Sequence, residues 1–258
     1  MRLATWNING LRSRLEFILH WLDSRRPDVV GLQELKLTDD QFPYDAFAAA
    51  GYQAAVHGQK AWNGVAILSR ESGEVTQRGL PGEDAFGSRL ITARFGQLSF
   101  TTVYVPNGKT AEHDDYPKKL AWYDSLIEHW GATHEASDSA ILCGDFNLCP
   151  SALDSHHAPE KTAQRIFHTP EERSRFARLL DLGLVDTWRD RNPETRMYSW
   201  WDYRMGAFHR NLGLRIDFVL ATQSVDDRVT DVVIDREYRK KKDGLTASDH
   251  APVWIDLE

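Results

Sequence analysis

The feature that most restricts the fold of this chain is a set of short apolar runs that end at, or carry, a polar residue. The runs are rich in Val, Ile and Leu, as in the segment AILCG at residues 140–144, which Asp145 follows. Such runs are typical of strands in a sheet that is covered on both faces. Polar side chains at the ends of neighbouring strands converge in one cleft. The pattern therefore predicts a covered sheet with polar side chains gathered at one edge.

Seven polar residues occupy such positions. They are Asn7, Glu34, Asp145, Asn147, Asp217, Asp249 and His250. Asp249 and His250 are adjacent and precede the last apolar run, so they present a ligand oxygen and an imidazole to the same pocket. The recurrence of acid, amide and imidazole groups in equivalent positions favours a functional cluster over chance.

Each of these residues also has a purely structural interpretation, which the sequence leaves open. Asn7 can form a turn, and Asp145 with Asn147 can form an Asx turn. Glu34 can cap a following helix. Asp217 can be paired with the arginine two residues before it, because an acid inside an apolar strand is costly unless it is paired.

Strands and helices alternate along the chain, and strands also occur in pairs. Strands are predicted at residues 3–6, 29–33, 65–68, 90–94, 98–105, 140–144, 216–221, 229–234 and 252–256. Helices are predicted at residues 15–23, 116–131 and 170–182. The paired strands favour two packed sheets with helices outside over a single parallel sheet. No linker rich in Pro, Gly or Ser divides the chain, so one domain is expected over residues 1–258.

The helix predicted at residues 170–182 has the clearest boundaries. Thr169 is its expected N-cap, Pro170 suits the first helical position, and Glu171 and Glu172 favour the positive end of the helix dipole. Gly183 is expected to end it.

The charge of the chain limits the classes of partner. The net charge is −7, from 38 acids against 31 Lys and Arg, which argues against a simple basic nucleic-acid binder. Affinity for phosphates depends on where the positive charge lies, so nucleic acid stays open. The basic run at residues 239–242 is interpreted as solvated surface.

Targeting signals and cysteines indicate which cellular compartment to expect. No apolar run of about 18 residues is present, so no membrane partner is expected. The N-terminus lacks the apolar core of a signal peptide, which favours the cytoplasm. Cys143 and Cys149 are the only cysteines, so no zinc site can be built from cysteines alone, and their number is compatible with a reducing compartment.

A series of short motifs in fixed order is the most specific property of the chain. The motifs are WNINGLR at 6–12, LQELK at 32–36, GQK at 58–60, NGVA at 63–66, VYVPNG at 103–108, GDFN at 144–147, LGLVD at 182–186, YSWWDYR at 198–204, GLRID at 213–217 and SDHAP at 248–252. With them the chain resembles the exonuclease III family of apurinic/apyrimidinic (AP) endonucleases, within the endonuclease/exonuclease/phosphatase superfamily. The resemblance covers essentially the whole length. It implies an α/β fold, a four-layer α/β sandwich of two packed mixed β-sheets flanked by helices.

The resemblance also implies a reaction, the hydrolysis of DNA phosphodiesters by water with a divalent metal. Mg²⁺ is the expected cofactor, with Mn²⁺ as a possible substitute, because hard oxygen ligands suit it. Glu34 is the implied main metal ligand, and Asn7 and Asp249 complete or flank its sphere. Asp145 is implied to orient or deprotonate the attacking water, and Asn147 to hold that water or the phosphate.

Three further residues receive catalytic roles by the same resemblance. His250 is implied to hydrogen-bond a non-bridging phosphate oxygen, and Asp217 to hold its imidazole and favour the cation. Tyr104 is implied to bind the phosphate or assist the metal-bound side. The number of metals, and whether Asp145 or His250 is the general base, stay open.

The resemblance implies a DNA-binding surface as well. The residues matched to backbone-phosphate contacts are Arg12, Lys36, Arg89, Asn107 and Lys119. Such contacts place a duplex without reading its sequence. Trp200 matches the wall of the pocket for an abasic sugar, whereas Trp201 is assigned to the core. The expected partner is duplex DNA with abasic sites or 3′ blocks, bound by a monomer.

One departure from the family pattern suggests a narrower activity. Phe167 stands where members active on abasic sites carry a small residue, and a large ring there biases the enzyme towards 3′-end trimming and 3′-phosphate removal. The superfamily also includes regulatory binding proteins that have lost catalysis, as well as phosphatases of inositol lipids and sphingomyelinases. The complete acid and imidazole set argues against a regulatory protein, and the paired Trp200 and Trp201 argue against a lipid phosphatase or sphingomyelinase.

Overall fold

The computed structural model describes residues 1–159 and 164–258, and within them twelve strands form two sheets. The strands are β1 (Arg2–Asn7), β2 (Val29–Gln33), β3 (Gln53–His57), β4 (Val65–Ser69), β5 (Glu74–Arg78), β6 (Leu90–Phe95), β7 (Leu98–Tyr104), β8 (Ala140–Asp145), β9 (Leu184–Asp186), β10 (Asp217–Thr222), β11 (Val229–Ile234) and β12 (Val253–Leu257). The α-helices are α1 (Leu15–Arg25), α2 (Tyr44–Ala49), α3 (Asp115–Thr133), α4 (Pro170–Asp181), α5 (Thr187–Arg191) and α6 (Gln223–Asp226).

Each sheet has six strands and is mixed. The first has the order β11-β12-β1-β2-β4-β3, and the second has the order β5-β6-β7-β8-β10-β9. The pairs β1–β2 and β7–β8 are parallel, and their other neighbours are antiparallel. This arrangement confirms the expectation of two mixed sheets.

The strands alternate their side chains between two cores, as a period of two requires. Leu3 of β1 packs between the sheets with Phe100 of β7. Its neighbour Ala4 faces the opposite way and joins Trp21 of α1 under the outer helices. On the far side, α3 and α4 cover the second sheet through residues such as Trp122. The helix–sheet–sheet–helix layering confirms the predicted four-layer sandwich.

Most of the predicted strands are central, with β11 as the one at an edge, and the strands that were missed all lie at edges. The nine predicted strands and three predicted helices are present, with no bound shifted by more than two residues. The missed strands β3, β5 and β9 each end a sheet. An edge strand buries less of its surface, and the alternately exposed residues of β5 (EVTQR) show why its sequence is polar. The short helices α2, α5 and α6 were also missed.

The helix α4 begins as its sequence predicts. The Thr169 hydroxyl accepts the backbone N–H of Glu172 at 3.2 Å, and the Glu172 carboxylate accepts the backbone N–H of Thr169 at 3.0 Å. This reciprocal capping box satisfies two N–H groups that the helix leaves free. Gly183 lies just beyond the end of the helix at φ +89°, a conformation that favours glycine.

Strand register brings the polar ends of the two sheets together. Asn7 ends β1 and pairs in register with Gln33, the last residue of β2 before Glu34. In the second sheet Asp145 is in register with both Tyr104 and Asp217. The polar residues at the ends of these central strands therefore occupy one edge of the sandwich, as the sequence pattern predicted.

Candidate active site

One asparagine joins the acids of the two sheets. Asn7 Nδ2 donates to Glu34 Oε1 at 2.9 Å and to Asp145 Oδ2 at 2.9 Å. Glu34 directly follows β2 in a left-handed conformation with φ +57°. The interpretation of Glu34 as a helix cap is wrong, since the next helical turn of the chain starts only at Asp39. The predicted convergence of these residues is confirmed.

A histidine and its carboxylate stand beside these acids. His250 Nδ1 lies 2.9 Å from Asp217 Oδ2, and His250 Nε2 lies 3.9 Å from Asp145 Oδ2. The hydroxyl of Ser199 donates to Asp217 Oδ2 at 2.6 Å and accepts the backbone N–H of Asp217 at 3.1 Å. Ser199 therefore orients the carboxylate that faces the imidazole. This role of Ser199 was not predicted from the sequence, although the residue occurs within the YSWWDYR motif.

Arg215 is not the partner of Asp217, so the structural interpretation of Asp217 is wrong. The Arg215 guanidinium is buried and binds Asp154 at 2.6 Å and Asp186 at 2.7 Å. Only one residue separates Arg215 from Asp217 in the sequence, but the two side chains bind different partners. Arg215 therefore holds a structural ion network, and Asp217 remains free to face His250.

The residues at the end of β8 form a turn and also contribute side chains to the site. The backbone N–H of Asn147 donates to Asp145 Oδ1 at 2.9 Å, which is the Asx turn that the sequence left open. The Asn147 side chain donates to the carbonyl of Val105 at 2.9 Å and accepts from Asn107 at 3.3 Å. The structural interpretation is therefore correct, and the same turn places Asp145 and Asn147 side by side in the cleft.

Burial and neighbouring charges set the protonation of the central pair. Burial raises the pKa of Asp145 to about 7, although His250 opposes this. Burial works against the charged form of His250, but Asp217, Asp145 and Asp249 together raise its pKa to about 10. The imidazole therefore favours the cation, which can donate through Nε2, and the pKa of Asp145 lies well above that of a free carboxyl.

Glu34 is held in the charged form. Burial opposes ionisation, but Lys36 and the Asn7 amide outweigh burial and lower the pKa of the Glu34 carboxyl. Lys36 Nζ lies 2.8 Å from Glu34 Oε2. Burial raises the pKa of Tyr104, which hydrogen-bonds with Glu34, so this phenol stays protonated.

Two carboxylates and the imidazole come close together at the centre of this cluster. Ligand atoms of Glu34, Asp145 and His250 all lie within 4.8 Å of one another. Asn7 Oδ1 accepts the backbone N–H of Asn9 at 3.0 Å, and the ligand role predicted for Asn7 stays a prediction. The same holds for Asp249, whose two oxygens accept from Asn9 at 2.9 Å and from Trp200 Nε1 at 3.0 Å. The contact of Asn9 with Asp249 was not predicted from the sequence.

Four of the five residues predicted to contact backbone phosphates are at least partly accessible. Arg12 and Asn107 are exposed, whereas Lys36 and Arg89 are half-buried beside Glu34 and Tyr104. The prediction for Lys119 is wrong, because its side chain is fully buried and pairs with Glu172. A phosphate on the surface cannot reach it.

Two cavities are each lined by a residue that contacts the acid cluster, Trp200 through Asp249 and Tyr104 through Glu34. A cavity of about 540 Å³ is lined by Trp200, Phe167 and Leu214 among others. Trp200 is half-buried and Trp201 is 0% exposed, which confirms the assignment of Trp201 to the core. Phe167 faces the cavity from a left-handed backbone with φ +74°.

A second cavity of about 610 Å³ extends from Tyr104 and Arg89 to Asn107, Lys118 and Trp62. Trp62 is 71% exposed at its rim. Groups that can bind phosphates and an accessible aromatic ring therefore share this cavity.

No helix in the described ranges is both long and apolar enough to cross a membrane.

Comparison with known proteins gives consistent matches over the full length. The endonuclease/exonuclease/phosphatase family matches residues 4–250. Exodeoxyribonuclease III of Haemophilus influenzae is 36% identical, with 100% of each chain covered. Among solved structures, an AP endonuclease from Archaeoglobus fulgidus superposes with a TM-score of 0.95 at 34% identity, covering 100% of this chain and 99% of that one. A 3′ phosphatase from Neisseria bound to product DNA hairpin gives a TM-score of 0.95 at 36% identity, with the same coverage.

Proposed function

The chain belongs to the endonuclease/exonuclease/phosphatase family, and we propose that it is a metal-dependent DNA repair nuclease. Its proposed reaction is the hydrolysis of phosphodiesters at abasic sites and at blocked or normal 3′ ends of duplex DNA. The observation that carries this proposal is the joining of Glu34 and Asp145 by Asn7, next to the His250–Asp217 pair. The full-length similarity to an exodeoxyribonuclease III and to an AP endonuclease supports it.

The donor set fits a hard divalent cation, which we propose to be Mg²⁺, with Mn²⁺ as a substitute. Glu34 offers carboxylate oxygens, the ligands that Mg²⁺ prefers, and a carboxylate oxygen of Asp145 lies within 4.8 Å of a Glu34 oxygen. His250 is cationic at neutral pH and fits the role of hydrogen-bond donor better than that of ligand. Asn7 and Asp249 remain the proposed flanking ligands. When bound, such a cation neutralises phosphate charge and polarises the phosphodiester.

The protein groups then divide the proton transfers between them. Asp145, with a pKa raised to about 7, suits the acceptance of a proton from the attacking water. Asn147 stands beside it in the Asx turn and holds that water or the phosphate. His250 donates to the non-bridging oxygen on which charge builds, with Asp217 behind it. Asp145 is thus the proposed base, His250 the electrostatic donor, and Tyr104 a phosphate ligand.

Duplex DNA is the proposed partner, bound by a monomer that acts as one domain over residues 1–258. Lys36 lies beside Glu34, and Arg89 and Asn107 line the cavity next to Tyr104. Together with the exposed Arg12 they suit contacts to backbone phosphates, which place the duplex without reading its sequence. Trp200 lines the cavity proposed for the abasic sugar. The Neisseria relative bound to product DNA hairpin supports a DNA substrate.

A second candidate function is a bias towards 3′-end processing with weak abasic incision. The observation that favours it is the ring of Phe167, which lines the same cavity as Trp200. The backbone N–H of Phe167 donates to Glu172 at 3.1 Å, so the ring is carried by an anchored loop. The similarity to a 3′ phosphatase supports this second candidate as well.

A panel of defined duplexes tests both candidates. The duplexes carry an internal abasic site, a 3′-phosphate or a normal 3′ end, and each is assayed with Mg²⁺, Mn²⁺ and a chelator. Cleavage that the chelator abolishes and Mg²⁺ restores is expected for at least one duplex. Absence of cleavage on all three DNAs, or cleavage that persists without metal, would refute the nuclease proposal. The ratio of abasic incision to 3′-phosphate release decides between the candidates.

A further inference from the structure

A buried ion pair lies directly behind the proposed active site. Lys119 of α3 and Glu172 of α4 are each 0% exposed, and Lys119 Nζ pairs with Glu172 Oε1. Lys119 Nζ also donates to the backbone carbonyl of Asn147 at 2.6 Å. The ammonium group therefore holds the loop that carries Asn147, and it reaches neither solvent nor DNA.

The carboxylate of the pair holds the loop of Phe167, whose ring forms a wall of the cavity shared with Trp200 and is called the Phe167 wall below. Glu172 Oε1 also accepts the backbone N–H of Phe167 at 3.1 Å, and Oε2 accepts the N–H and the hydroxyl of Thr169 at 3.0 Å each. The Lys119 ammonium lies 4.8 Å from the centroid of the Phe167 ring. A single buried carboxylate thus fixes the start of α4, the Phe167 backbone and the cation that holds Asn147.

A third loop packs against the stem of the same lysine. A Cβ atom built on Gly108 would lie 3.0 Å from Cδ of Lys119 and 3.2 Å from Cδ1 of Ile166. Gly108 follows Asn107, whose side chain donates to Asn147 Oδ1 at 3.3 Å. The loops that carry Asn107, Asn147 and Phe167 therefore meet around one side chain.

Stability alone does not account for this pair. Removing two charges from water costs more than most ion pairs return, and replacing a buried pair with apolar residues is often neutral or stabilising. An apolar pair between α3 and α4 fills the same space, but it supplies neither a donor for the carbonyl of Asn147 nor an acceptor for the N–H of Phe167. What the charges add is the fixed placement of the two loops.

We propose that Lys119 and Glu172 are positioning residues that lock the Asn147 loop to the Phe167 wall, and so set both the rate and the substrate preference of the site. The inference rests on the proposed nuclease function. It assigns the pair no contact with DNA. Loss of the pair lets Asn147 and the wall move independently, which changes turnover more than binding.

Neutral variants separate positioning from stability. Lys119→Met and Glu172→Gln each leave one buried charge without the opposite charge, and each is expected to lower the melting temperature. The double variant removes both charges and is expected to regain most of that loss, which keeps it measurable if a single variant does not fold. Its kcat is nevertheless expected to stay at least about tenfold below wild type with KM within about twofold. Its ratio of abasic incision to 3′-phosphate release is expected to shift at least about threefold.

A matched control joins the same two helices at the surface. Arg175 of α4 pairs with Asp124 of α3 at 2.6 Å, with side chains 20% and 39% exposed. Arg175→Met loosens the same helix pair without touching either loop, so kcat and the substrate ratio are expected to stay at wild-type values.

The outcomes keep the two proposals apart. Wild-type protein that cleaves no DNA contradicts the nuclease proposal itself. Wild-type protein that cleaves, together with a double variant that recovers melting temperature, kcat and substrate ratio, overturns the positioning role. An equal change of the ratio in Arg175→Met also overturns it, because helix packing alone would then account for the effect.

Discussion

Asn7 and Asp145 share a hydrogen bond of 2.9 Å that crosses from the first sheet to the second. The same Asn7 amide donates to Glu34 at the end of β2, also at 2.9 Å. Three strand ends from two sheets are therefore tied at one side chain. The spacing of the two acids depends on how the sheets pack on each other, so the core between the sheets also determines the geometry of the site.

Asp145→Asn removes the proposed base while keeping the size of the side chain. Turnover on the preferred duplex is expected to fall by about 10²–10⁴-fold, the usual contribution of general base catalysis. Binding of the duplex is expected to stay near wild type, because Asp145 is buried and lies behind the surface contacts. Single-turnover kinetics and a binding titration measure the two quantities. Wild-type turnover in this variant would remove Asp145 from the mechanism.

The pH dependence of kcat/KM is expected to be bell-shaped. Asp145 acts as its anion, so activity rises with pH through its pKa, which burial raises to about 7. A bound cation favours the carboxylate and moves this limb to lower pH. His250 acts as its cation, so activity falls as pH rises through its pKa of about 10. Ser199→Ala weakens the hold on Asp217 and is expected to move the alkaline limb. An identical profile in that variant would contradict the orienting role of Ser199.

Acid stability is expected to depend on Asp154. Burial opposes the charge of Asp154, but Arg215 outweighs burial and holds the pKa of the carboxyl below its usual value. The stabilisation is complete above the unfolded-state pKa of about 3.9 and is lost as pH falls through the lower folded-state value. Asp154→Asn leaves Arg215 short of a partner and is expected to cost about 3–5 kcal/mol near neutral pH. Denaturant unfolding at several pH values measures both effects; a pH dependence below pH 4 that is unchanged in the variant would contradict this assignment.

Trp62 offers a direct report of DNA binding. All nine tryptophans lie in the described residues, and Trp62, at 71%, is far more exposed than buried members such as Trp6 and Trp122. Its ring stands at the rim of the cavity that contains Arg89 and Asn107. Duplex DNA in this cavity is expected to shield Trp62 from acrylamide quenching, and Trp62→Phe is expected to remove most of the change, leaving the smaller contribution of half-buried Trp200. Quenching that DNA leaves unaltered would place the duplex elsewhere.

Phe167→Gly tests the origin of the substrate preference. Removal of the ring opens the cavity shared with Trp200, so abasic incision is expected to rise relative to 3′-phosphate release. Glycine adopts φ +74° without strain, so no backbone strain is expected in the variant. The two rates are measured on matched duplexes, and an unchanged ratio would end the case for a 3′-end bias.

The central strands and the residues of the site were predictable from the sequence because both depend on the same apolar runs. Polar residues such as Glu34 and Asp145 interrupt runs whose apolar character comes from burial on both faces. Edge strands such as β5 lack that burial, so their sequences resemble exposed loops. Ser199 and Asn9 act through hydrogen bonds to residues far along the chain, which no local pattern records.

The prediction for Lys119 failed because it considered the charge of the side chain and not the face of the helix on which Lys119 lies. Lys119 shares the buried stripe of α3 with Trp122, Tyr123 and Leu126, at the spacing of three and four residues that defines one side of a helix. That spacing was a usable signal for burial. Its partner Glu172 lies 53 residues away, and the pairing required the fold.

The left-handed backbone at Phe167 affects which side chains this position can carry. The main chain there already has a conformation that glycine adopts freely, so the aromatic ring can be lost or regained without rebuilding the loop. Under the substrate role proposed for the Phe167 ring, a change in substrate balance therefore requires the exchange of one side chain on an unchanged backbone.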